Sequence, residues 1–357
     1  MPRGDERLPD QAAVGGGHRW PRCGLSPPYD GSTVVSTPLL ELVNVTKDYA
    51  SRSGAGRGHV RALDGVDLVV GAEETVGMVG ESGCGKTTLA RIVMGMLAPT
   101  EGRVLLDGED LHGASRKRAR ELRRDVQMVF QNPYSSIDPR FTILKCVAEP
   151  LRTHTDLRGA ALETEVRELL RRVGMPGDLL TRYAHELSGG QLQRAAVARA
   201  LALGARLVVL DEPTSALDVS VQAQILNLLD ELQATQKLAY LFISHDLSVI
   251  RHVCDRVVVM YLGRVVEIST TEAIFADGTR HPYTDVLLGS MPSIANIGRR
   301  ERTSEPKTRD REQIGSGCSF APRCPLAVER CRAEVPELDS RGTGHPVACH
   351  ILNDGEA

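Results

Sequence analysis

Two patterns of apolar and polar positions alternate along the chain. Short, nearly unbroken apolar runs ("TVGMV", "VQMVF", "LVVL", "LAYLFI", "RVVVMY") are strand-sized and read as strands buried on both faces. Between them lie segments with apolar spacing of three and four, such as "ALETEVRELLRRVGM" and "VSVQAQILNLLDELQATQ", which predict amphipathic helices. Apolar strands alternating with helices imply a mostly parallel sheet with helices on both faces. "LLELVNVTKDY" and "VRALDGVDLVV" alternate in part and read as strands joined by the flexible turn "RSGAGRG". "GRVLLDGEDL" reads as a strand or hairpin, "SRKRARELRRDV" as a basic helix, and "RVVVMYLGRVVEIS" as a hairpin turning at residues 262–263. A helix is expected over residues 86–97, and residues 140–190 read as mostly helical.

The helix opening at "LSGGQ" has an unusual first turn. Ser188 and Gln191 stand in the Ser-x-x-Gln spacing of a capping box. Gly189 and Gly190 follow the serine, although each glycine weakens a helix by roughly 1 kcal/mol. Glycine suits a place where the backbone must come close to something, and bare N–H groups at a helix start bind anions. The expected anion is a phosphate.

"GESGCGKT", residues 80–87, fits G-x-x-x-x-G-K-[ST] in full, follows an apolar strand and opens a helix. In such a loop the backbone N–H groups of Gly80, Glu81, Ser82, Gly83, Cys84, Gly85, Lys86, Thr87 and Thr88 line a phosphate site. Lys86 reaches the outer phosphates and Thr87 offers a hydroxyl to Mg²⁺. "LVVLDE" ends in Asp211 and Glu212, where open α/β sheets bind ligands. Asp211 is suited to hold Mg²⁺ and Glu212 to polarise an attacking water. Gln131 and His245 also close apolar strands, so four strand ends are expected at one edge of a sheet. Cys84 lies in the phosphate loop; a thiol of low pKa is conceivable at a helix start, but a tolerated small residue is the commoner meaning.

The order phosphate loop, Gln131, "LSGGQ", "LVVLDEP", "SALD" and His245 resembles the ATP-binding-cassette ATPases. "VFQNPYSSIDPR", "HPYTDVLL" and "GCSFAPRCPLAVERC" are similar to the ATPase subunits of bacterial dipeptide and oligopeptide permeases; Asp138 stands where that family usually has Asn. The resemblance implies a P-loop NTPase fold of the ABC-ATPase kind, with a mostly parallel core sheet, an antiparallel β subdomain and a helical subdomain. It implies an ATP-binding domain over residues 37–277, with the helical subdomain at about 140–200, and an extension over 278–357. By position, Gln131 would sense the γ-phosphate and Mg²⁺ and couple to the membrane partner, Glu212 would be the catalytic base, and His245 would contact the γ-phosphate. Asp218 would lie at a dimer seam, and Tyr49 would stack on adenine. ATP would be held between two ATPase subunits, identical or different, with Ser188, Gly189, Gly190 and Gln191 of one facing the nucleotide of the other. Integral-membrane permease subunits and an extracytoplasmic substrate-binding protein would be partners. The chain would sit peripherally on the cytoplasmic face of the inner membrane.

Composition limits the alternatives. Net charge is −3, which gives no support to nucleic-acid binding, and no apolar run approaches the ~18 residues that cross a bilayer. Residues 1–36 are rich in Gly, Pro and Arg, lack the apolar core of a signal peptide and are expected to be disordered. The basic run over 116–124 reads as a solvated helix face. Of eight cysteines, Cys318, Cys324, Cys331 and Cys349 crowd the end of the chain in a spacing that matches neither zinc ribbons nor ferredoxins. Four thiolates suit Zn²⁺ or an iron–sulfur cluster, with His345 and His350 nearby, and the resemblance favours [4Fe–4S]. Such a site would staple a short, loop-rich segment.

Overall fold

The computed structural model describes residues 38–51, 58–276, 278, 280–291, 316–340 and 345–354. The disorder expected of residues 1–36, and most of the polar link after residue 298, lie outside the described residues.

Among the described residues ten strands form two sheets. β1 (Pro38–Ser51), β2 (Gly58–Gly71), β4 (Glu101–Leu106) and β5 (Glu109–Asp110) make an antiparallel sheet in the order β2-β1-β4-β5. β3 (Thr75–Val79), β6 (Val126–Val129), β7 (Leu207–Asp211), β8 (Ala239–Ile243), β9 (Arg256–Tyr261) and β10 (Arg264–Thr270) form the larger sheet, ordered β10-β9-β3-β8-β7-β6. Its strands run parallel except for β10, which returns antiparallel to β9. The turn joining them uses Leu262 and Gly263, both at positive φ, as the sequence pattern predicts for a tight hairpin.

The apolar strands serve two cores at once. On β8, Ala239, Leu241 and Ile243 enter one cluster, whereas Tyr240 and Phe242 enter the other. β7 divides likewise, with Leu207 and Val209 opposite Val208 and Leu210. Side chains alternate across a strand, so a run with no polar positions fits only a sheet covered on both faces. One cover is α1 (Lys86–Val93) with the antiparallel sheet; Leu89, Ala90, Ile92 and Val93 join Leu40, Val66 and Val104 there. α2 (Arg116–Asp125) adds Leu122 to the same cluster. Its arginines stay at the surface, where Arg118 pairs with Glu109 and Glu121.

The opposite face is helical. After α3 (Pro133–Ser136), α4 (Ile143–His154), α5 (Gly159–Arg172) and α6 (Gly189–Leu201) pack on one another through Ile143, Val147, Val166, Leu169, Leu170, Leu192 and Ala195. α7 (Val219–Gln236), α8 (Leu247–Val253) and α9 (Thr271–Phe275) continue this layer. α1 stops at Val93 rather than at residue 97. Gly95 sits at φ 65, the Met96 N–H donates to the Arg91 carbonyl, and the Gly95 N–H donates to that of Ile92, a Schellman end that a helical run cannot pass.

The extension begins with α10 (Pro282–Gly289) and includes α11 (Glu329–Ala333) and α12 (His350–Asn353). It joins β10 through backbone bonds, with Ile268 N–H donating to Pro346 O at 2.9 Å and Ala348 N–H donating to Val266 O at 2.8 Å. Buried Glu267 ties the same segments together, accepting from the Thr284 hydroxyl and the His281 N–H and meeting His345 Nε2 at 2.7 Å. Asp138, the departure from the family's Asn, accepts from Arg140 through both carboxylate oxygens and staples its own turn.

Gly80 supports the join between β3 and α1 by close approach. A Cβ there would lie 2.2 Å from the Met260 carbonyl oxygen and 2.8 Å from Cys84 Sγ. Gly80→Ala is expected to cost about 3 kcal/mol, measured as a lower midpoint in denaturant unfolding. Gly289→Ala, with no atom within 4 Å of the added carbon, is expected to be neutral or slightly stabilising in the same measurement.

Candidate nucleotide site

Strand register brings the expected residues together. Met78 of β3 lies level with Ile243 of β8, Ile243 with Asp211 of β7, and Val129 of β6 with Leu210. The loops after these four strands therefore leave one edge of the sheet, carrying Gly80, Gln131, Glu212 and His245.

The phosphate loop is closed on itself. Lys86 is buried, and its Nζ donates to the carbonyl oxygens of Gly80 at 2.5 Å and Glu81 at 3.1 Å. Those two bonds hold the ammonium beside the loop's own backbone. Gly85 is the last residue before the helix, at φ 114, and a Cβ there would lie 2.7 Å from Ala62 O. Ser82, Gly83 and Thr87 are exposed, so the outer rim is open to a ligand. Cys84 is buried and burial pushes its thiol up, which removes the low-pKa possibility.

Glu212 is the centre of the second half of the site. Gln131 Nε2 donates to its Oε2 at 2.6 Å, and His245 Nδ1 lies 3.1 Å from its Oε1. Three strand ends thus converge on one carboxylate. Glu212 adopts φ 48, a left-handed conformation costly for a residue with a Cβ. The Glu212 N–H donates to Ile243 O, and its carbonyl accepts from the Ser215 N–H and hydroxyl, so the turn is tied on both sides. Asp211 beside it is buried. Burial raises its carboxyl and the charge of Glu212 adds to the effect, while Lys86 and Arg91 oppose it.

The capping box at α6 is formed as its spacing predicts. Gln191 N–H donates to Ser188 Oγ at 3.3 Å, and Ser188 N–H donates to Gln191 Oε1 at 3.0 Å. The glycines there have a further cause within the chain. A Cβ on Gly190 would meet Val221 Cγ1 of α7 at 2.6 Å, and one on Gly189 would meet Leu217 Cδ2 at 3.2 Å. Close packing of α6 against the start of α7 therefore accounts for Gly190. Ser188 is exposed, as are Asp218 and the neighbouring Val219, which is 82% exposed. Among the described residues no hydrogen bond joins Ser188 or Gln191 to the phosphate loop of the same chain. Tyr49 lies near the end of β1, part-exposed, with Lys47 Nζ 5.7 Å from its ring centre.

Sequence reasoning missed one group at this site. Arg323, in the extension, grips the Glu81 carboxylate at 2.9 and 3.0 Å, and the Glu81 N–H donates to the Tyr283 hydroxyl at 2.8 Å. The only signal was the arginine's place between two cysteines.

The seven described cysteines are unbridged. Cys318, Cys324, Cys331 and Cys349 share one neighbourhood; Cys318 N–H donates to Cys331 O at 2.8 Å, and Cys324, with burial as the larger cause and the other three thiols adding, is pushed up to about 11. Backbone N–H groups of Phe320 and Ala321 face the Cys318 sulfur, that of Leu326 faces Cys324, and those of Ile351 and Leu352 face Cys349. Among the described residues, however, no three or more His, Cys, Asp or Glu side chains are arranged to hold a metal ion. The expected histidines point elsewhere: His345 meets Glu267, and His350 Nε2 lies 3.1 Å from the Glu334 carbonyl oxygen.

The raised carboxyl of Asp211 yields a pH-dependent prediction. A carboxyl whose folded pKa exceeds its unfolded one opposes folding when ionised; this penalty is full at neutral pH and fades as pH falls through the folded value. Asp211→Asn is expected to raise the melting temperature of the nucleotide-free protein near pH 7, with the gain shrinking toward about pH 4, while Mg²⁺-dependent ATP hydrolysis is lost. Calorimetry across pH and a phosphate-release assay read the two effects.

Comparison with known proteins follows the same lines. Residues 63–215 match the family model "ABC transporter", and residues 266–331 match "Oligopeptide/dipeptide transporter, C-terminal region". The di/tripeptide transport ATP-binding protein DppF of Pseudomonas aeruginosa is 46% identical over 323 residues, 87% of this chain and 97% of that protein. The oligopeptide transport ATP-binding protein AppF of Bacillus subtilis is 44% identical over 322 residues, 88% of this chain and 98% of that protein. A dimeric structure of the ATP-binding cassette MJ0796, in a post-hydrolysis state bound to ADP and Pi, is 30% identical with a TM-score of 0.58, covering 65% of this chain and 98% of that one. With a phosphate loop, a Gln–Glu–His cluster and a Ser-Gly-Gly helix start on this fold, the chain belongs to the ABC transporter ATP-binding proteins of the oligopeptide and dipeptide group.

Proposed function

We propose that the chain is the ATP-hydrolysing subunit that energises import of dipeptides, oligopeptides or related small solutes through a separate membrane permease. The observation that carries this reading is the Glu212 carboxylate held between Gln131 and His245, beside Asp211 and the phosphate loop. The di/tripeptide and oligopeptide transport proteins among the relatives supply the peptide part of the reading. Among the described residues no helix is long and apolar enough to cross a membrane, in keeping with a permease made of other polypeptides. We place the subunit at the cytoplasmic face of the inner membrane, with an extracytoplasmic substrate-binding protein delivering solute to the permease.

In this reading the N–H groups of residues 80–88 cradle the triphosphate, apart from that of Glu81, which Tyr283 holds, and Lys86 exchanges its bonds to Gly80 and Glu81 for phosphate oxygens. Thr87, Asp211 and Gln131 supply the hard oxygen donors that suit Mg²⁺, which would neutralise phosphate charge. Glu212 orients and deprotonates the attacking water, and His245 steadies the γ-phosphate. Tyr49 stacks on the adenine. Ser188, Gly189, Gly190 and Gln191 offer their helix start to the nucleotide of a second ATPase subunit, identical or related, with Asp218 at the seam. The exposure of Ser188, Asp218 and Val219 supports a face that is covered by a partner. Residues 37–277 form the ATP-binding domain, its helical subdomain at about 140–200, and 278–357 the extension.

Glu212→Gln is expected to lower the turnover of the assembled ATPase by about 10²- to 10⁴-fold, the usual worth of a general base, while nucleotide binding persists. ATP should then hold two subunits together in size-exclusion chromatography; a monomer with ATP bound and no pairing with a sister ATPase would remove the shared-site mechanism.

For the four cysteines we favour a [4Fe–4S] cluster over Zn²⁺, with a structural role. The shared neighbourhood of the four thiols supports it, although among the described residues no three of these side chains are arranged to hold a metal as they stand. Anaerobically purified protein is expected to contain iron and acid-labile sulfide that vanish when the four cysteines are replaced by serine. Zinc in place of iron would reverse the assignment, and neither metal would leave the extension held by packing alone.

A further inference from the structure

We propose that Arg323 and Tyr283 are positioning residues for the phosphate loop, acting through Glu81; the proposal rests on the reading of residues 80–88 as the nucleotide site.

Glu81 is an electrostatic liability. It places a carboxylate in a loop that must receive a highly charged anion, and its own carbonyl shares Lys86 Nζ at 3.1 Å. Unscreened, that charge would repel a triphosphate and compete for the lysine. Arg323 removes the liability with a two-pronged contact, Nη1 to Oε2 at 2.9 Å and Nη2 to Oε1 at 3.0 Å. This fork geometry fixes direction as well as charge, so the carboxylate is held toward the extension. Both side chains are largely shielded from solvent, 19% and 22% exposed, which strengthens the pairing over a surface ion pair.

The backbone of Glu81 is held as well. Its N–H donates at 2.8 Å to the hydroxyl of Tyr283, a fully buried residue of the "HPY" stretch. Tyr283 is fixed in turn by Tyr261 and Phe320, whose ring centres lie 4.5 and 5.5 Å away. The Arg323 guanidinium lies 5.8 Å from the Tyr261 ring centre and 5.7 Å from that of Phe320. Anchoring alone does not call for an arginine here, because Phe320 is already buried against Tyr261 and Tyr283. What Arg323 adds is a positive charge placed on the one acidic side chain of the phosphate loop. The extension thereby sets the affinity of the loop for nucleotide.

The test is nucleotide affinity of the full chain, read with a fluorescent ATP analogue in Mg²⁺, together with KM and kcat of the assembled ATPase. Arg323→Gln is expected to raise Kd and KM about tenfold with kcat reduced less than twofold. Tyr283→Phe is expected to raise Kd about threefold. Arg323→Lys should recover part of the loss. In a Glu81→Gln background Arg323→Gln should have no further effect, because no carboxylate remains to be screened. An unchanged Kd in a folded Arg323→Gln protein would overturn the proposal, as would an equal loss in the Glu81→Gln background, which a purely structural role predicts. If Arg323→Gln fails to fold, Arg323→Lys and Tyr283→Phe carry the same reading, and both unchanged would overturn it. Analogue binding that survives Lys86→Ala would instead overturn the phosphate-loop reading.

Discussion

Burial of the central strands on both faces is the constraint from which the site follows. A strand covered by α1 on one side and by the helical layer on the other has no place for an unpaired charge along its length, and its buried Tyr240 is accommodated by a bond from its hydroxyl to Leu229 O. Ionisable catalytic groups therefore fit where the strand leaves the sheet. Because β3, β6, β7 and β8 are parallel and in level register, they all leave at the same edge. The chemistry is concentrated there because nowhere else on those strands can hold it.

That concentration has a cost in the fold. Asp211 is buried in a setting that raises its carboxyl, Glu212 sits in a left-handed backbone conformation, and Lys86 is buried with no ion pair among the described residues. Each departs from what folding alone would select, and each is held by neighbours: Gln131 and His245 on Glu212, and the Gly80 and Glu81 carbonyls on Lys86. The chain's own hydrogen bonds thus fix these side chains at the sheet edge.

The extension is integral to this arrangement. It extends β10 through backbone bonds, buries Phe320 against Tyr261 and Tyr283, and reaches the phosphate loop with Arg323. Glu267, fully buried, is met among the described residues by His281, Thr284 and His345 of the extension. The extension and the cassette therefore share polar networks as well as apolar surface, and a disturbance of one is transmitted to the phosphate loop of the other.

The amino-acid sequence by itself determined the elements and the chemistry that depend on local spacing. A complete phosphate loop, the Ser188–Gln191 box, the paired acids after "LVVL" and the unbroken strands are legible because periodicity and short-range hydrogen bonding act within a few residues. The end of α1 was readable too, since Gly95 marks it, but an apolar run carried the helix two residues beyond that glycine. What only the tertiary structure decided are the meetings of distant groups. Gly190 is small because Val221 of another helix lies against it, Glu212 is clamped by residues from the loops after two other strands, and Arg323 finds Glu81 across 242 positions. A sequence records which side chains are available, whereas pairing between them depends on the register and packing of elements whose separation along the chain carries no trace of the contact.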